Sequence, residues 1–96
     1  MGNSNSEYTI LKEVTLLSKL PTRKTKHYEG SKELQQPYKL QIVQYEQDTG
    51  FYLFYLDYGD ELITDTYHMS VEDAMAQAEW EYNVTKDEWV NKQKTQ

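Results

Sequence analysis

Five residues within a stretch of twelve carry the side chains that do chemistry: Asp57, Asp60, Glu61, Asp65 and His68. Carboxylates beside an imidazole are the raw material of a divalent-cation site or of an acid–base pair. Their spacing wraps no ion, because a calcium loop of the form D-x-[DN]-x-[DN]-G needs glycine in sixth place and Gly59 arrives third from Asp57. Asp57 and Asp60 read instead as hairpin residues, Asp65 as a strand-edge charge and His68 as a turn residue beside a helix cap. His27 stands alone in a basic stretch and takes no role. The chain has no cysteine, which removes thiol catalysis, disulfides and zinc ribbons. It also has no G-x-S-x-G, no P-loop and no H-E-x-x-H. Its four glycines, Gly2, Gly30, Gly50 and Gly59, cannot build a phosphate cradle.

Such residues would have to be positioned by one small domain. The chain has 96 residues, 38% hydrophobic and 14% aromatic, enough for a modest core and one shallow groove. No run reaches the length of a spanning helix, and the first residues lack the pattern of a secretory signal, so the expectation is a cytoplasmic protein without a membrane span. Gly2 and Ser6 fit the short acylation pattern M-G-x-x-x-[ST], but no basic patch stands beside them to reinforce a single acyl chain.

The net charge of −6 is unevenly spread: residues 1–45 hold seven Lys/Arg against four Asp/Glu, and residues 46–88 hold one against twelve. Such a surface repels a phosphate backbone, which argues against direct nucleic-acid binding, and it steers basic proteins into contact. The basic stretch of Lys19, Arg23, Lys24, Lys26 and Lys32 is interrupted by Glu29 and Glu33 and reads as a solvated loop.

The elements follow from pattern and punctuation. Residues 1–8 read as a flexible leader, 9–90 as a single α+β domain and 91–96 as a frayed tail. Residues 9–19 suit a first strand that stops before Pro21, and residues 20–36 a long loop with one short helical turn at most. Residues 38–45, 51–58 and 61–67 spell an antiparallel meander joined by two hairpins, with Gly50 and Gly59 supplying positive φ. Ser70 caps a helix reaching Asn83, whose Val71, Ala74, Met75, Ala78 and Tyr82 share one stripe. Thr85-x-x-Glu88 opens a short terminal helix, and Trp89 folds back on the core. The fold class is therefore α+β: a three- to four-stranded antiparallel meander with one main helix, ordered strand, long loop, three strands, helix and short helix.

A first hairpin pairing Gln47 with Phe51 sets Ile42 opposite Leu56 and Gln44 opposite Phe54. That register places Leu40, Ile42, Phe54 and Leu56 under the helix and leaves Tyr45, Phe51, Leu53 and Tyr55 on the other face. An aromatic face of that size is covered by the first strand and its loop, or else it is an interface. Trp80 lies about 180° around the helix from the buried stripe; cover by the long loop or Trp89 is the expectation, and an exposed binding anchor is the alternative.

Residues 64–68 (TDTYH), Ala74, Ala78-Glu79-x-Glu81-Tyr82 and Glu88-Trp89 together resemble a group of small bacterial proteins of unassigned function, some of which look like immunity proteins that neutralise a toxin. The resemblance covers roughly residues 51–89, implies this fold, and carries no catalytic residue with it.

Three functions remain in order. First is a small acidic, non-enzymatic protein-binding module of immunity or inhibitor type. It would steer a basic partner with Asp57, Asp60 and Glu61 and anchor it on Tyr45, Phe51, Tyr55 or Trp80, with a homodimer as the other occupant. Second is an acidic nucleic-acid mimic that blocks a DNA-binding enzyme. Third is a metal-dependent enzyme on Asp57, Asp60, Glu61 and His68. No cofactor is implied.

Overall fold

The computed structural model describes residues 7–16 and 28–92. The acylation pattern at Gly2, His27, most of the basic loop and the last four residues lie outside them. The first strand, β1 (Tyr8–Thr15), is followed by a two-residue hairpin, β2 (Tyr28–Glu29) and β3 (Lys32–Glu33), turned through Gly30 at φ 65°. The described part of the long loop is thus a hairpin and not a helical turn. The meander is β4 (Lys39–Tyr45), β5 (Phe51–Leu56) and β6 (Leu62–His68). Helix α1 (Val71–Tyr82), a 3₁₀ turn (Lys86–Glu88) and β7 (Val90–Asn91) complete the order.

The fold is α+β. All pairings are antiparallel in a five-stranded sheet ordered β6-β5-β4-β1-β7, one strand more than expected, with α1 packed on one face. The added strand straddles the expected domain end at residue 90: Val90 and Asn91 pair with Glu13 and Lys12, and the Lys92 amide donates to the Leu11 carbonyl at 2.9 Å. Asn91 is therefore held in the sheet and does not fray.

Helix α1 forms as its caps dictate. Ser70 Oγ accepts from the Asp73 amide at 3.0 Å, Glu72 and Asp73 complement the dipole, and Asn83 closes the helix at φ 60°. Ala74 and Ala78 are fully buried and let the helix approach closely. After it, the Glu88 carboxylate accepts from the Thr85 amide and hydroxyl, and Trp89 is buried against the same core.

The register differs from the expected one. Leu40 pairs with Tyr55, Ile42 with Leu53 and Val43 with Tyr52, three residues away from the Gln47 to Phe51 alignment. Successive side chains alternate faces, so an odd shift turns all of β5 over. Leu53 and Tyr55 therefore lie with Leu40 and Ile42 under α1, while Phe54 and Leu56 join Val43 on the opposite face. The hairpins differ from expectation as well. Gly50 does not take positive φ; it is needed for space, because a Cβ there would stand 1.9 Å from the Tyr67 hydroxyl. In the second hairpin positive φ falls on Asp60 (67°) and not on Gly59.

Candidate interaction surface

On the sheet face away from α1, four tyrosines cross four strands in a row. Tyr67 of β6 meets Tyr52 of β5 with ring centroids 5.0 Å apart, Tyr52 meets Tyr45 of β4 at 5.3 Å, and Tyr45 meets Tyr8 of β1 at 5.4 Å. All three contacts are edge-to-face, the arrangement that the ring quadrupole favours. Phe54 forms the floor, 5.3 Å from Tyr8, with Val43 and Leu56 buried beside it. Period-two alternation puts the tyrosines on one face, and the pairings Tyr8↔Tyr45 and Tyr52↔Tyr67 align them.

Tyr8 and Tyr67 are 43% and 47% exposed, and the two inner rings are half-buried. Carboxylates rim the row. Asp48 accepts from the Gly50 amide at 3.0 Å and from the Tyr67 hydroxyl at 3.4 Å, which ties the first hairpin to the end of β6. Asp65 shares the face through its pairing with Phe54, and Glu7 and Glu46 are exposed at the Tyr8 end. Burial, with nearby carboxylates adding to it, raises the ionisation of Tyr45, Tyr52 and Tyr67 above the ordinary tyrosine value, which keeps these three rings neutral and hydroxyl-bearing at pH 7.

The anchors expected from sequence do not form one patch. Tyr45 belongs to the row, but Tyr55 is 1% exposed under α1 and Phe51 packs against the same helix-side core. The face expected to carry Leu53 and Tyr55 outward is thus covered by the helix. Trp80 is 43% exposed on α1, on the far side of the sheet from the row, which corrects the expectation of cover. Asp57, Asp60 and Glu61 sit at the other end of β6 from Tyr67. Asp57 accepts from the Gly59 and Glu61 amides at 2.9 Å, as a hairpin residue would, and Asp60 pairs with Lys39 at 2.7 Å, holding that ammonium above its usual value.

His68 is separated from that hairpin by the length of β6, about 20 Å at strand rise. It is the last residue of the strand and not a turn residue, and it is 7% exposed. Its Nδ1 lies 3.1 Å from Asp73 Oδ2 and its Nε2 2.7 Å from Thr66 Oγ1. Hydroxyl, imidazole and carboxylate in that order are the components of a nucleophilic triad. Here Thr66 and His68 stand on β6 and Asp73 in the first turn of α1, so the trio ties the strand to the helix. Among the described residues no group of three or more His, Asp or Glu is placed to hold a metal ion, and no helix is long and apolar enough to cross a membrane.

Sequence reasoning missed Tyr8, Tyr52, Tyr67 and Asp48 as one surface, and Glu81 as a buried group. Glu81 had a signal: it follows Ala74 by seven residues and so lies within about 20° of it on the helix, inside the apolar stripe. The row had none without the register. Comparison with protein-family models, with curated proteins and with solved structures finds no match to the chain.

Proposed function

We propose that the chain is a small acidic, non-enzymatic protein-binding module that captures a basic partner on the tyrosine row. The observation that carries this reading is the alignment of Tyr67, Tyr52, Tyr45 and Tyr8 across four strands with Asp48 and Asp65 at its margin. Tyrosine presents a large rigid area with a polar tip, and its ring face attracts ammonium and guanidinium groups. Carboxylates beside it pair with those cations, and the acidic half of the chain steers them from a distance. Within that class an immunity- or inhibitor-type protein is the reading that the sequence resemblance favours, and the lack of a secretory pattern in the first residues favours the cytoplasm as its place.

The test is crosslinking and capture of the partner, followed by measurement with both proteins purified. Asp65→Lys and Tyr45→Ala are each expected to weaken the complex about tenfold or more, added salt to slow association, and Trp80→Ala to leave it unchanged. Indifference to Asp65→Lys and to salt would overturn the reading. Displacement of the partner by duplex DNA would replace it with the nucleic-acid mimic.

A further inference from the structure

The two edges of the sheet are finished differently. On one side β7 closes the middle of β1, at Lys12↔Asn91 and Glu13↔Val90. On the other, β6 pairs with β5 alone, and among the described residues no strand meets its outer side. An unpaired strand presents a row of free N–H and C=O groups, a template for another chain. The straight part of that edge is residues 64–68, because the ladder slips between Tyr55↔Thr64 and Leu56↔Leu62, leaving Ile63 as the extra residue of a bulge.

We infer that this edge receives an extended basic segment of the partner as a sixth strand beside β6. The inference rests on the proposed function and extends the tyrosine row by one strand. Asp65 and Tyr67 face the row, opposite Phe54 and Tyr52, while Thr64, Thr66 and His68 face the α1 side. Side chains of an added strand that fall on the row side stand about 5 Å (Cβ to Cβ) from Asp65 and Tyr67. Lysine or arginine there meets a carboxylate and a ring face together. Side chains on the other side lie beside two threonines, which suits small β-branched residues. The segment is therefore one that alternates basic with β-branched residues, held by backbone hydrogen bonds and sorted by its charges.

A second copy of this chain is the other candidate occupant, and Asp65 argues against it. Antiparallel self-pairing centred on Thr66 puts the two Asp65 carboxylates one diagonal apart, about 7–8 Å, and a centre at Asp65 sets them directly opposite. The chain's net charge of −6 adds to that repulsion. A charge in the middle of an open edge guards against self-association. A basic strand turns the same residue into an attraction.

The probe is a seven-residue peptide alternating lysine with valine or threonine, set against the same peptide N-methylated at every residue. Charge and side chains are kept while the backbone donors are removed. With the full chain, the unmodified peptide is expected to bind and to slow hydrogen exchange of the outward amides of residues 64–68 at least about tenfold. The methylated peptide is expected to bind about tenfold or more weakly, since its backbone can no longer donate to the carbonyls of β6. Equal affinity of the two peptides, or binding without protection of β6, overturns strand addition and leaves the basic-partner reading standing. Failure of both peptides to bind at millimolar concentration overturns both.

Discussion

The Tyr55 hydroxyl donates to Glu81 Oε2 across 3.2 Å, joining β5 to the last turn of α1 in an otherwise apolar layer. Gln77 hydrogen-bonds the same carboxylate oxygen. A buried carboxylate needs such partners, because it gives up hydration when the helix docks. Tyr55→Phe keeps the ring and deletes the donor, so it is expected to destabilise the fold by about 1–3 kcal/mol. Urea unfolding at pH 7 measures this; an unchanged midpoint would mean that the bond contributes nothing.

Alkaline pH tests the same layer by linkage. Burial holds Tyr55 and Tyr82 protonated well above the ordinary value near 10, with Glu81 reinforcing both. The unfolded chain releases those protons near pH 10 while the folded chain retains them. Stability is therefore fully present below pH 10 and falls as pH rises past it, by about 1.4 kcal/mol per pH unit for each tyrosine. Tyr55→Phe is expected to remove its own share of that slope, about 1.4 kcal/mol per pH unit. Denaturant midpoints measured between about pH 9 and about pH 11 that stay level would refute the burial argument.

Gly50 controls the row through space. A methyl group there would stand 1.9 Å from the Tyr67 hydroxyl and 2.2 Å from its ring carbon. Tyr67 is half exposed and can swing aside, so Gly50→Ala is expected to cost only about 1–2 kcal/mol. The larger effect falls on the surface: the Tyr67 and Tyr52 ring resonances shift, and partner affinity drops about as far as in Tyr67→Ala. Unmoved ring resonances would show that Tyr67 does not lie across Gly50.

A double-mutant cycle reads the register directly. Leu53 and Ala78 share the helix-side core, whereas Phe54 lies on the opposite face. Ala78→Leu overpacks the helix contact, and pairing it with Leu53→Ala is expected to recover about 0.5–3 kcal/mol of coupling. Pairing it with Phe54→Ala is expected to show near additivity. Coupling to Phe54 in place of Leu53 would restore the alternative register.

The meander of β4, β5 and β6, the helix and its two caps were legible in the chain, whereas β7 and the β2–β3 hairpin were not. Alternation, the hairpin residues, Ser70, Asn83 and Thr85-x-x-Glu88 are local signals, read within a few residues of where they act. The spacing of Ala74, Ala78 and Tyr82 likewise marks the docked side of α1. Even the hairpin role of Asp57 follows from its own loop, through the Gly59 and Glu61 amides.

Which face of β5 meets that helix was beyond local reading. Phe51–Leu56 is apolar on both sides, so either alignment buries a full set of side chains and hydrophobicity cannot choose between them. The choice shows only in the pairing of β4 with β5, where Leu40 meets Tyr55 and Ile42 meets Leu53. The same three-residue difference decided the surface, sending Tyr55 under α1 and bringing Tyr52 into line with Tyr45, Tyr67 and Tyr8. Composition supplied the tyrosines and carboxylates; only the packing of four strands against one another placed them in a row.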